Sequence, residues 1–267
     1  LRVGQLAGDE LAQHHAERVD VVGHRGGLAG QSLRAGVGAR ETLRQRRVDH
    51  VLDARDPLGT RCTAVEAHIA RDAPHKHLVF LLNKADLVPA SVAQRWVRHL
   101  SKERPCLAFH ASLRNPFGRG SLIALLRQFA RLHRDKKQIS VGFVGYPNVG
   151  KSSVINALRA KAVCPAAPVP GHTRVWQYVS LMKRVSLIDC PGVVPAGSGN
   201  ADADTVLRGV VRVEALASPE DYIPVLLSRV RREHVERTYS VTDWSTPDEF
   251  LAALATRAGK LLRAGEP

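Results

Sequence analysis

A doubly wound α/β sheet, mostly parallel and followed by a small helical domain, is the fold class that this 267-residue sequence predicts. Three observations predict it. From about residue 48, short apolar runs alternate with stretches of helical period, the pattern of strands joined by crossover helices. One of those runs leads into a glycine-bearing loop and then a helix, the context in which such a loop cradles phosphate. After residue 203 strand-like runs stop and the apolar spacing is helical. A chain of this length buries enough surface for one ligand-binding domain and a smaller appendage.

Residues 1–47 carry no aromatic residue, Lys, Pro or Ile and no sustained apolar period, so they are left unassigned, as disordered or wrongly translated sequence would be. The chain starts at Leu1, as a fragment would. Strands are then expected at Val48 to Leu52, Leu78 to Leu82, Cys106 to Phe109, Ile139 to Val144, Trp176 to Leu181 and Val185 to Ile188. Helices are expected at Ala90 to Leu100, Gly120 to Leu132 and Lys151 to Leu158. The expected domains are 48–203 and a truncated helical domain at 204–267, linked through Pro195 to Ala203, with helices over 205–216, 219–237 and 247–262.

Charge is unevenly spread. The net charge is +14, and twelve of the fourteen excess positive charges fall within residues 51–206. Two basic stripes at helical spacing stand out: Arg95, Arg98, Lys102 and Arg104, then Arg127, Arg131, Arg134, Lys136 and Lys137. Each reads either as a nucleic-acid phosphate contact or as a solvated helix face. With only 5% aromatic residues, a base-stacking platform is not suggested. Runs such as Leu78 to Leu82 are far short of the roughly 18 to 20 residues of a bilayer-crossing helix, and no membrane partner is expected. Cys62, Cys106, Cys164 and Cys190 are widely spaced without a leader sequence, which reads as reduced intracellular thiols rather than a zinc site.

The chemistry is concentrated in four places. The strand ending at Val144 runs into Gly145-Tyr146-Pro147-Asn148-Val149-Gly150-Lys151-Ser152, with Ser153 next in the following helix. The glycines let N–H groups turn toward phosphate oxygens, and the helix N-terminus adds its dipole. Lys151 would reach the β- and γ-phosphates and Ser152 would hold Mg²⁺. The strand Leu78 to Leu82 ends in Asn83-Lys84-Ala85-Asp86. A carboxylate at Asp86 can accept guanine N1–H and N2–H₂, a donor pair that adenine lacks, while Asn83 would tie this loop to the phosphate loop and the Lys84 stem would lie along the base. His110-Ala111-Ser112 could offer an N–H to guanine O6.

Farther on, Asp189-Cys190-Pro191-Gly192 ends a strand with an acid suited to Mg²⁺ and a glycine suited to sensing the γ-phosphate. Thr173, in Pro170-Gly171-His172-Thr173-Arg174, stands where a second Mg²⁺-binding hydroxyl would fall. These elements run in permuted order: the base-reading residues at 83–86 and 110–112 precede the phosphate-binding ones at 145–152, 173 and 189–192. Surface termini can be relocated without changing a sheet. The switch residues then lead into the helical domain, so that γ-phosphate loss could reposition it. Val193 follows Gly192 where Ras-type enzymes place a water-orienting Gln, so slow intrinsic hydrolysis is expected. Asn148 is either a potassium ligand that assists hydrolysis or a loop-capping amide.

Together these motifs resemble the circularly permuted GTPases of large-ribosomal-subunit assembly. The resemblance covers about residues 50–267 and rests on Asp53-Ala54-Arg55-Asp56-Pro57, Asn83-Lys84-Ala85-Asp86-Leu87-Val88-Pro89, Phe109-His110-Ala111-Ser112, Gly145 to Ser153, Val175-Trp176-Gln177-Tyr178 and Arg208-Gly209-Val210-Val211-Arg212. It implies a P-loop GTPase domain, circularly permuted, that binds GTP or GDP with Mg²⁺, and with K⁺ at Asn148. It further implies a monomer acting in the nucleolus or nucleus on a pre-60S ribosomal particle, with ribosomal RNA and ribosomal proteins as partners. Asp53 and Arg55 would mark the start of the permuted domain, unless they form only a surface turn with a local ion pair. His172 departs from the family, where an acidic residue is usual. A nucleotide-bound RNA scaffold with vestigial hydrolysis, or a factor for an organellar or bacterial-type large subunit, are the other readings.

Overall fold

The computed structural model describes residues 19–21, 47–167, 169–173, 175–195 and 203–260. They form two compact units, one running through Gly199 and taking in Arg208–Val210, the other holding Asn200–Leu207 and Val211–Pro267. The expected boundary near residue 203 is thus interrupted, because three residues beyond it return to the first unit.

The first unit holds a six-stranded sheet of β2 (Arg47–Asp53), β3 (His77–Asn83), β4 (Cys106–Ala108), β5 (Ile139–Val144), β6 (Gln177–Met182) and β7 (Val185–Asp189), in the order β4-β3-β2-β5-β7-β6. All neighbours are parallel except β6 and β7. Crossover helices α1 (Thr63–Asp72), α2 (Ala90–Leu100) and α3 (Arg119–Leu132) join the parallel strands, and α4 (Lys151–Arg159) follows the phosphate loop. The continuous apolar runs of β3 and β5 arise because central parallel strands are covered on both faces: Phe80, Leu81, Leu82, Val141 and Phe143 are fully buried. Helix α1 has no counterpart among the expected helices, because its Thr-Ala-Val-Glu-Ala-His-Ile stretch buries only Val65 and Ile69.

Residues 1–46 lie outside the described residues apart from β1 (Val19–Val21), which pairs antiparallel with β8 (Val193–Pro195). Three residues of the unassigned segment therefore do pair, and Arg47 opens β2. The linker residues 196–202 and the switch-loop Arg174 fall outside the described residues.

The second unit corrects the expected helices. In place of a helix over 205–216 stands α5 (Ala203–Leu207), which ends before Gly209 at φ 70°. In place of one helix over 219–237 are α6 (Ile223–Arg229) and α7 (Arg232–Tyr239). Pro224 can only begin a helix because it has no N–H to bond backward, and Val230 and Arg231 are extended. Helix α8 (Pro247–Arg257) starts with a capping box: Thr246 Oγ1 accepts from the Glu249 N–H, and the Glu249 carboxylate accepts from the Thr246 N–H. Its Phe250 joins Val235 and Val241 in a small core with Ile223, Leu227 and Trp244 packed on it. Among the described residues, no helix is long and apolar enough to cross a membrane.

Candidate nucleotide site

Register brings the functional loops to one edge of the sheet. Asp53 stands opposite Asn83, Leu82 opposite Ala108, and Phe143 opposite Asp189. The chain runs outward from β2 to β4 in one direction and from β5 to β7 in the other, so the order reverses between β2 and β5, where ligands of open α/β sheets bind.

On the phosphate side, the loop from Gly145 to Gly150 wraps over the end of β5, with Tyr146, Pro147 and Val149 buried and Ser152 and Ser153 half-buried at the start of α4. Gly150 has φ 97°, and a Cβ there would lie 2.4 Å from Asn83 Nδ2, so this position admits only glycine. Lys151 Nζ donates to the Gly145 and Tyr146 carbonyls at 3.0 and 2.6 Å. Burial pushes this ammonium down to about 8 against the pull of Asp189.

The three candidate metal ligands come together. Ser152 Oγ donates to Asp189 Oδ2 at 2.6 Å and lies 3.2 Å from Thr173 Oγ1. The other Asp189 oxygen, Oδ1, is buried without a hydrogen-bond partner among the described residues. Burial raises the Asp189 carboxyl, a cost that Ser152 and Lys151 only partly offset. Two hydroxyls and an under-satisfied buried carboxylate suit a hard divalent cation such as Mg²⁺. Gly192 packs against the phosphate loop, where a Cβ would meet Pro147 Cγ at 2.7 Å, and the Val193 N–H donates to the Gly145 carbonyl at 3.1 Å.

On the base side the loop is already fastened. Asn83 Nδ2 donates to the Val149 carbonyl at 2.8 Å, the bond between the two loops that the sequence predicts. Lys84, left-handed at φ 60°, donates from Nζ to the Asn148 carbonyl at 2.7 Å and pairs with Asp53 Oδ2 at 2.9 Å. Asp53 also takes two bonds from the Arg55 guanidinium, at 3.0 and 2.7 Å. Burial alone would raise the Asp53 carboxyl, but the Arg55 and Lys84 bonds outweigh it and hold it at about 2. Asp53 and Arg55 thus form the local ion pair, and Asp53 also pairs with Lys84.

Asp86 Oδ1 lies 2.6 Å from His110 Nδ1, a contact that sequence reasoning missed although His110 stands beside the residues it singled out. Of Ala111 and Ser112, the Ser112 N–H donates to the His110 carbonyl at 3.1 Å, whereas the Ala111 N–H has no backbone partner among the described residues.

A second missed contact reaches across the sequence. Asn148 Nδ2 donates to the Gly209 carbonyl at 3.0 Å, and Arg208 Nε pairs with Asp56 at 3.1 Å. The Asn148 amide nitrogen is committed, leaving its oxygen as the atom that a cation would meet. Separations of 61 and 152 residues leave no local signal.

Comparison with known proteins agrees with this geometry. Residues 140–248 match the family described as 50S ribosome-binding GTPase. Nucleolar GTP-binding protein 2 of Saccharomyces cerevisiae is 61% identical over 220 residues, which is 82% of this chain and 45% of that protein. The protein of the same name from Yarrowia lipolytica is 62% identical, over 82% of this chain and 43% of its own. This chain therefore spans less than half the length of these curated relatives. Among solved structures, the GDP-bound structure of TM YlqF superposes with a TM-score of 0.56 at 25% identity, covering 86% of this chain and 87% of the other.

Proposed function

We propose that the chain is a circularly permuted P-loop GTPase that binds and hydrolyses GTP as an assembly factor of the large ribosomal subunit, a reading supported by the matches to 50S ribosome-binding GTPases, nucleolar GTP-binding protein 2 and TM YlqF. Its nucleotide state would govern its association with a pre-60S particle, as a monomer in the nucleolus or nucleus, the relatives being named nucleolar. The observation that carries the reading is the juxtaposition of a base-reading carboxylate, fastened through Asn83 and Lys84, with Lys151 and the Ser152–Asp189–Thr173 cluster.

In this reading Asp86 selects guanine, the Ala111 N–H meets its O6, and the N–H groups of Gly145 to Ser153 surround the phosphates. Lys151 exchanges its two carbonyl bonds for phosphate oxygens. Mg²⁺ would be held by Ser152 and Thr173 with Asp189 behind it, and would neutralise charge on the β- and γ-phosphates. The Gly192 N–H would sense the γ-phosphate, and K⁺ would meet the Asn148 side-chain oxygen. Val193 cannot hydrogen-bond an attacking water through its side chain, so the intrinsic rate is slow. Phosphate release measured in KCl and in NaCl, with and without precursor large subunits, tests this. Turnover stimulated by the particle is expected. No turnover under all four conditions would replace the hydrolase reading with a nucleotide-bound scaffold, the alternative that Val193 favours.

A further inference from the structure

At the end of the sheet opposite the nucleotide loops, where β7 begins and β6 ends, α3 and the Lys183–Arg184 turn flank a shallow, open cleft of about 250 Å³. Apolar Ala130, Met182 and Val185 line it together with Arg127, Arg131, Lys183 and Arg184. The cleft is smaller than the roughly 300 Å³ at which pockets for whole small-molecule ligands begin, so it fits one chemical group of a larger molecule.

Its cations are held on a rigid frame. Arg184 Nη2 donates to the carbonyls of His133, Arg134 and Lys136 at 3.0, 3.1 and 2.5 Å, and the Ile139 N–H donates to the Arg184 carbonyl at 2.9 Å. One guanidinium thus caps the end of α3 and fixes the basic stretch 134–137 beside the strand turn. Among the described residues no carboxylate ion pair is seen for Arg127, Arg131 or Lys183, and Lys136 pairs with Asp135. Near the nucleotide site the opposite holds: Arg55, Arg61, Lys84 and Arg208 are each paired with a carboxylate. Three of these cations, Arg127, Arg131 and Lys183, line one small cleft, the counterpart of a polyanion's phosphates.

We propose that this basic cleft is the RNA-docking surface of the chain, gripping backbone phosphates with Arg127, Arg131 and Lys183 and receiving one unstacked base against Ala130 and Met182. The proposal rests on the ribosome-assembly reading above and locates its RNA contact. Arginine guanidinium planes and an apolar lining suit an unstacked base, as single-stranded RNA loops present. No Phe, Tyr or Trp lines the cleft, so the phosphates supply most of the affinity and binding is steeply salt-dependent. Lying away from the nucleotide edge, the surface leaves the GTP site open while RNA is bound.

The test uses the full chain and a fluorescently labelled large-subunit rRNA fragment with a single-stranded bulge, read by anisotropy between 50 and 200 mM salt. Arg127→Glu/Arg131→Glu/Lys183→Glu should weaken binding at least about 10-fold and flatten the log–log salt slope by about 2 to 3, because each phosphate that is no longer gripped removes slightly less than one released counterion. GDP affinity should stay at the wild-type value. The milder Arg127→Gln/Arg131→Gln/Lys183→Gln variant guards against misfolding and should show the same flattening. RNA binding equal to wild type in both variants would overturn the assignment while leaving the ribosome-assembly reading standing. An equal loss from Arg95→Glu/Arg98→Glu on α2 would also overturn it, since net charge alone would then explain binding. If the wild-type chain bound no rRNA even at 50 mM salt, the ribosome-assembly reading would fail with it.

Discussion

The two halves of the candidate nucleotide site, proposed to read the base and to bind the phosphates, use the same materials differently. The base side is braced by protein: Asn83 and Lys84 are bonded to the backbone of the phosphate loop, and Asp53 pairs with Lys84 from a third strand. The phosphate side satisfies itself with bonds that a nucleotide would replace, Lys151 on loop carbonyls and Ser152 on Asp189. In the proposed reading the base side is preorganised by protein bonds, whereas the phosphate side would exchange its bonds for those of the nucleotide. Substitutions on the phosphate side should therefore act on nucleotide affinity and leave the fold intact. Those on the base side should also act on specificity and stability.

The largest effect belongs to the phosphate side. Lys151→Ala removes the one buried cation beside the loop and should lower GDP affinity at least about 100-fold by calorimetry, with little change in melting temperature. Wild-type affinity in this variant would break the assignment of the loop. Next comes Asp86→Asn, which replaces an acceptor with a donor opposite guanine N1–H. The mismatch is worth about 2 to 3 kcal/mol, a 30- to 100-fold loss of GDP affinity, while xanthosine diphosphate should gain. Equal loss for both nucleotides would show that Asp86 does not read the base.

Stability separates the halves through pH. The Asp53 carboxyl is held at about 2, below its ordinary value near 3.8, so its contribution is fully present above about pH 4 and is lost as pH falls through about 2. Asp53→Asn should cost about 2 kcal/mol at neutral pH by denaturant unfolding, and that cost should shrink as pH falls below 4. A pH-independent cost would mean that packing rather than charge holds Asp53 in place.

Much of this was legible in the sequence because it is local. The strand, glycine loop and helix from Ile139 to Leu158 are contiguous, and the φ of 97° at Gly150 is a local demand of that loop. Parallel strands buried on both faces announce themselves as unbroken apolar runs, as Leu78 to Leu82 does. The helical unit was less legible, since apolar spacing continues through Gly209, Pro224 and Val230 while the backbone does not. Least legible were contacts whose partners lie far apart in the chain. Nothing near Asp56 or Asn148 names Arg208 and Gly209 as partners. The Asp53–Arg55 pair could be guessed from its spacing, but its reach to Lys84 depends on β2 and β3 lying side by side.

The smallest effect expected tests how far the bracing of the base side extends. His110 sits at the end of β4, and its Nδ1 meets Asp86 Oδ1 at 2.6 Å, leaving Oδ2 and the remaining lone pair of Oδ1 for guanine. Both side chains are about one-third exposed, so the bond is partly screened and its worth is that of an orienting contact. His110→Ala should weaken GDP binding about 3- to 10-fold and lower the preference for GDP over inosine diphosphate, which lacks the N2 amine. His110→Asn, which restores an amide donor close to the Nδ1 position, should recover most of both. An imidazole that merely fills space would instead leave the GDP-to-inosine ratio unchanged in His110→Ala. In that case the bracing of the base side would stop at Asn83 and Lys84, and Asp86 would take its orientation from guanine itself.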